Sequence, residues 1–140
     1  LLELFLVETL RMPWDEVHEE AEHMEHAVSD RLIDRIDGFL RFPAVDPHGD
    51  PIPRADGSLE EPAGMSLTAV PRGTSFRVTR VVDQDPSFLR YLTECGLALG
   101  AEGSVVENRP EAGALVLSID GRMTALGNDA AAKVRVVSKT

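Results

Sequence analysis

The chain has 140 residues, an apolar fraction of 43% and a formal charge of −10, enough for one ordinary domain or two small ones. That charge excludes a nucleic-acid surface made by these residues alone and favours the attraction of cations. The single cysteine, Cys95, excludes a disulfide framework and suits the cytoplasm, and the lack of a signal-peptide pattern or of any apolar run near about 18 residues excludes a membrane helix.

The chain opens on Leu1 and already in mid-helix, so a fragment or processed product is expected. Leu1, Leu2, Leu4, Phe5, Leu6 and Leu10 predict a helix tail that is apolar over much of its surface and needs a partner on more than one side. Met12-Pro13-Trp14 breaks it, and Pro13 is expected in the first turn of the next helix, with Asp15 and Glu16 near its N-terminus. Trp14 reads as a core anchor.

The second helix carries Val17-His18-Glu19-Glu20-Ala21-Glu22-His23-Met24-Glu25-His26. At about 100° per residue, His18, Glu22, Glu25 and His26 share one arc of the helix surface. Val17, Ala21, Met24 and Val28 form the neighbouring apolar arc. The ligand-type side chains therefore border the buried face, and two imidazoles with two carboxylates suit a divalent first-row metal. The competing expectation for such a helix is a solvated acidic face. His23 falls outside the arc and is expected at the surface.

Ser29 is expected to cap a third helix. In that helix Leu32, Ile33, Ile36, Phe39 and Leu40 make an apolar stripe, while Arg31, Asp34, Arg35 and Asp37 face water. Gly38 weakens its end. These helices hold more Leu, Ile and Phe than they can bury among themselves, which predicts either further protein or a second copy.

Residues 43–65 predict a linker, with Pro43, Pro47, Pro51, Pro53 and Pro62 alternating with Gly49, Gly57 and Gly64. Asp46-Pro47-His48-Gly49-Asp50-Pro51 is turn chemistry, and His48 is read as a loop histidine.

From residue 66 the apolar period changes from 3.6 to 2. Phe76 to Val82 predicts a strand. Asp85-Pro86 predicts a cap followed by proline at the first helical position. Phe88, Leu92 and Cys95 would line the buried side of that short helix, and Gly96 would end it. Ser104 to Asn108 is a strand, and Arg109 to Gly113 a turn. Leu115, Leu117 and Ile119 alternate inward, and Asp120-Gly121 predicts a hairpin into Met123 and Ala125. Asn128-Asp129 is expected to cap a single helical turn before a last strand at Val134 and Val136. Short strands with a few helical turns predict a small, partly open barrel.

The helical half resembles the diphtheria-toxin-repressor family of iron- and manganese-dependent transcriptional regulators. The resemblance rests on Leu1-Leu2-Glu3, on Val17 through Ser29, and on Pro47-His48-Gly49-Asp50-Pro51-Ile52-Pro53. The second half resembles that family's C-terminal SH3-like domain, which is related to ferrous-transport protein A. Gly100, the Asp120-Gly121 hairpin and Leu126-Gly127-Asn128-Asp129-Ala130 carry this part. The implied fold class is α+β. A helical dimerisation and metal-sensing domain (1–42) and a Pro/Gly-rich linker (43–65) precede an SH3-like β-barrel (66–140).

The resemblance implies a primary metal site at Glu22, Glu25 and His26, with a further ligand from a region preceding Leu1. Glu3 and His18 match two of the three ancillary ligands that the family draws from this domain, and the remaining histidine would stand four residues before Glu3. Iron-type members carry Cys at position 22, and manganese-type members carry Glu or another hard ligand. Glu22 therefore implies Mn²⁺, with Fe²⁺ or another divalent transition metal able to bind. Asp83, Gln84 and Asp85 occupy the place from which the barrel can supply ligands, although Asp85 serves equally as a helix cap. The implied partners are a second copy of the chain and an operator DNA, the latter bound only through a winged-helix domain absent from these residues; no membrane partner is implied.

An enzyme is not expected. His18-Glu19-Glu20-Ala21-Glu22 misses the H-E-x-x-H zinc-protease pattern at its last position. Glu20 to His23 supplies one Glu-x-x-His motif, whereas a di-metal bundle needs two on long helices and two further carboxylates. The alternative weighed against a regulator is an adaptor built on the SH3-like barrel, which has few exposed aromatics for proline-rich ligands.

Overall fold

A computed structural model describes residues 1–52 and 64–139. Residues 53–63 of the predicted linker, including Pro53, Gly57 and Pro62, lie outside the described residues.

Three helices form the first half: α1 (Leu2–Leu10), α2 (Val17–Glu25) and α3 (Asp30–Phe39). Helix α1 ends where Arg11 turns left-handed at φ 61°. Pro13 does not enter α2 as expected. Its carbonyl accepts from the Glu16 amide in a turn, and the helix begins at Val17. Ser29 caps α3 as expected, its hydroxyl accepting from the Leu32 amide at 3.1 Å. Leu2, Leu6, Val17, Ala21 and Ile36 are the buried residues of this small core. Only part of the α3 stripe is covered: Ile36 is buried, whereas Leu32 and Phe39 are 47% and 67% exposed.

The second half is a six-stranded antiparallel sheet in the order β1-β6-β2-β3-β4-β5. Its strands are β1 (Met65–Ser66), β2 (Ser75–Val81), β3 (Glu102–Arg109), β4 (Ala114–Ile119), β5 (Arg122–Gly127) and β6 (Val134–Ser138). Helix α4 (Pro86–Glu94) follows β2, and the one-turn α5 (Asn128–Ala131) precedes β6. The alternation predicted for β4 holds, with Leu115, Leu117 and Ile119 buried. Asp120 and Gly121 both adopt positive φ, 51° and 79°, the geometry a two-residue hairpin requires.

Helix α4 starts as predicted, with the Asp85 carboxylate accepting from the Phe88 amide at 3.1 Å. Its buried face differs from the expectation. Leu89 and Leu92 are buried, while Phe88 and Cys95 are only partly covered at the core's edge. At α5 neither Asn128 nor Asp129 caps. Gly127 takes the capping position without a side-chain bond.

The two halves are joined by packing as well as by chain. Residues 44–52 form a tight loop in which Val45 and Pro51 pair as an isolated bridge and the Ile52 amide donates to Ala44. Trp14 packs against the barrel core, and its indole N–H donates to Thr93 Oγ1 of α4 at 2.9 Å.

Candidate metal centre

The seat of the site is a turn at residues 46–50. Asp46 Oδ1 accepts from the amides of His48 and Asp50 at 2.9 and 3.0 Å, the usual way an Asp nucleates a turn. Gly49, at φ +84°, lets the turn lie directly on β2. A Cβ there would stand 2.0 Å from the Thr79 carbonyl oxygen. The Val81 amide donates to the His48 carbonyl at 2.7 Å.

His48 lies in a loop, as expected, but it is not at the surface. Its side chain is 0% exposed. The ring stacks on Trp14 with centroids 5.7 Å apart and planes inclined by 15°. Its Nε2 donates to the Trp14 carbonyl at 2.9 Å. Such a bond fixes which ring nitrogen is left with a lone pair, and here that nitrogen is Nδ1. Nδ1 lies 3.1 Å from Glu3 Oε2 and 4.0 Å from Asp46 Oδ1. Both Nδ1 and Glu3 Oε2 are buried without a formed hydrogen bond. Two buried, lone-pair-bearing atoms facing one small volume are costly unless a proton or a cation lies between them.

Among the described residues, Glu3, Asp46 and His48 are the set of three whose ligand atoms all come within 4.8 Å of one another. Glu3 comes from α1, and the other two come from the turn. Glu3 Oε1 also pairs with His18 Nδ1 at 2.9 Å, and His18 Nε2 lies 3.4 Å from Glu22. Glu3 and His18 thus meet in space, and the contact continues into the buried centre on one side and to the exposed Glu22 on the other. Burial raises the Glu3 pKa, but the imidazoles of His48 and His18 together outweigh it and hold the carboxyl below the usual range. Burial likewise opposes charge on His48, yet the Glu3 carboxylate and the Trp14 carbonyl keep its pKa above the ordinary value. Asp46 is pushed up, because its burial outweighs the amide bonds it accepts.

Glu22 and Glu25 line a cavity of about 350 Å³ together with Glu3, His18 and Asp46. His26 is exposed at the C-cap of α2 and does not line that cavity. The ligand atoms of Glu22, Glu25 and His26 do not form a set within 4.8 Å of one another.

The three barrel residues have other partners. Asp83 pairs with Lys133 Nζ at 2.8 Å and accepts from the Asp85 amide at 3.0 Å. The Gln84 amide donates to Asp50 Oδ2 at 2.5 Å. Asp85 is the cap of α4. His23 is exposed as expected.

Sequence reasoning missed Asp46 and His48. The one signal available was an Asp-x-His pair ahead of a glycine, and the proline-rich setting concealed it.

Residues 1–54 match the iron dependent repressor, metal binding and dimerisation domain family, and residues 65–138 match the FeoA domain. The chain is 32% identical over 133 residues to the iron-dependent repressor IdeR of Mycobacterium leprae, covering 86% of this chain and 57% of that protein. It is 29% identical to the diphtheria toxin repressor of Corynebacterium efficiens, covering 97% of this chain and 62% of that protein. The chain thus spans about three-fifths of the curated relatives' length. A solved manganese-dependent transcriptional repressor superposes with a TM-score of 0.92 at 48% identity, covering 99% of this chain and 75% of the other.

Proposed function

The chain belongs to the diphtheria-toxin-repressor family, and we propose that it is the metal-sensing and dimerisation portion of a Mn²⁺- or Fe²⁺-dependent transcriptional regulator controlling metal-ion homeostasis. The observation that carries this reading is the convergence of Glu3 Oε2 and His48 Nδ1, buried and 3.1 Å apart, with Asp46 beside them. Glu3, Asp46 and His48 would hold a divalent cation there. With Asp46 the donors are two carboxylates and one imidazole, a set suited to Mn²⁺ or Fe²⁺. When bound, the ion would supply a positive centre that ties α1 to the 46–50 turn. His18 hydrogen-bonds Glu3 and orients its carboxylate.

Glu22, Glu25 and His26 are proposed as a second, more exposed centre, completed by a ligand from outside these residues. Metal occupancy would order the helical half and shift a dimer toward the form that fits an operator. Operator contact is assigned to a winged-helix domain outside these residues, because a charge of −10 opposes a polyanion. The division into 1–42, 43–65 and 66–140 is part of the same proposal, as are a non-enzymatic role and a cytoplasmic setting. Among the described residues no helix is long and apolar enough to cross a membrane. The adaptor alternative gives way because both halves match parts of metal-dependent repressors and their metal-binding domains.

Calorimetric titration with Mn²⁺ tests the assignment. His48→Ala should abolish one class of binding, and Glu22→Ala, Glu25→Ala and His26→Ala should each weaken another. A parent chain that takes up no Mn²⁺, or four variants that bind as it does, would refute the reading.

A further inference from the structure

We infer that Arg80 and Gln84 of the barrel are positioning residues for the Glu3–Asp46–His48 centre, acting through Asp50. The inference rests on reading that cluster as a metal site and adds what controls its geometry.

Neither residue makes a hydrogen bond or ion pair with a ligand of the centre. Arg80 Nε donates to Asp50 Oδ1 at 2.8 Å, and Gln84 Nε2 donates to Asp50 Oδ2 at 2.5 Å. The barrel thus grips both oxygens of a single carboxylate. Asp50 in turn closes the turn that carries the ligands. Its carbonyl accepts from the Asp46 amide at 2.9 Å, and its own amide donates to Asp46 Oδ1 at 3.0 Å. Displacing Asp50 therefore displaces Asp46, and His48 lies between them.

The grip is built into the strand. The pairing of β2 with β6 shifts register between Val78 and Arg80, and such bulges re-aim side chains. The same stretch of β2 receives Gly49, and the Val81 amide holds the His48 carbonyl. On the other side, Glu3 belongs to α1, so the ligand set straddles the contact between the two halves. The distance from Glu3 to His48 is set by how the barrel is seated. A metal that draws these atoms together must then tighten the seating, and loosening the seating must weaken the metal by the same factor.

Mn²⁺ titration followed by the spin-resonance signal of the free ion, repeated with Co²⁺ and its visible absorption, tests this in the whole chain. The quantity read is the component lost in His48→Ala. Arg80→Ala and Asp50→Asn should each weaken it about ten-fold. The double variant should be no weaker than the poorer single one, because both changes remove one contact. Arg80→Lys should recover part of the affinity, and the Co²⁺ band of Arg80→Ala should differ from the parent's. Gln84→Leu removes one of the two grips and serves if Arg80→Ala does not fold. Reciprocally, Mn²⁺ should slow exchange of the Val81 amide in the parent and less so in Arg80→Ala. Parent-like affinity and spectrum in Arg80→Ala and Gln84→Leu would overturn the positioning role while leaving the centre intact. Parent-like binding in His48→Ala would overturn the centre itself, and this inference with it.

Discussion

At the scale of single residues, the centre behaves as a titrating pair when metal is removed. The folded pKa of His48 is raised and that of Glu3 is lowered. A raised histidine contributes stability below its unfolded pKa and loses it as pH rises through the folded value. A lowered carboxylate contributes above its unfolded pKa and loses its contribution as pH falls through the folded one. The pair therefore stabilises the metal-free chain in the window between the two groups. In excess chelator, the parent's Tm relative to His48→Gln should fall as pH rises from the ordinary histidine value, near 6.5, through the raised folded value of His48. Thermal melts across that range check it, and a constant difference would contradict the assignment of charge to His48.

At the scale of elements, β3 is held at one crowded point. Gly103 pairs with Phe76 of β2 and Ile119 of β4. A Cβ on it would stand 2.7 Å from the Ser118 carbonyl oxygen, 3.0 Å from Ile119 Cγ1 and 3.2 Å from Phe76 Cζ. The closest of these is backbone and cannot swing aside. Gly103→Ala should destabilise the barrel by about 1–3 kcal/mol, the usual range for overpacking. Denaturant unfolding would measure it, and an unchanged midpoint would show that β3 and β4 can part at no cost. Gly121→Ala in the hairpin is a different case. No atom stands in the way of a Cβ there, but φ is +79°, so its cost is backbone strain alone.

At the scale of the whole molecule, the helical half leaves apolar surface uncovered. Leu10, Leu32, Phe39 and Phe42 are 59%, 47%, 67% and 63% exposed. The Phe39 and Phe5 rings meet edge to face, with centroids 6.5 Å apart. A two-fold pairing would bury this surface in both copies, in keeping with the dimerisation domain family that residues 1–54 match. Sedimentation should show a dimer at micromolar concentration, and Phe39→Asp should shift it toward monomer. A stable parent monomer would sink the expectation.

The class of this protein and most of its elements can be read from the chain alone. Helical period, the Ser29 and Asp85 caps and the Asp120-Gly121 turn depend on neighbours within a few positions, so they are legible along the chain. The same holds for the facing of Val17 and Ala21, which brought out the ligand-type arc beside them. Glu3 and His18 could be named by resemblance, and the fold joins them at 2.9 Å. The burial of His48, its meeting with Asp46 and Glu3, and the grip of Arg80 on Asp50 arise from long-range packing. Glu3 and His48 are 45 positions apart, one on α1 and the other in the turn that lies on β2. Their meeting depends on Trp14 stacking beneath the imidazole and on Gly49 lying flat against a strand that begins far downstream. No local propensity encodes such a contact. It exists because two cores, each formed by its own periodic pattern, leave one polar turn enclosed between them, and burial there gives its side chains their roles.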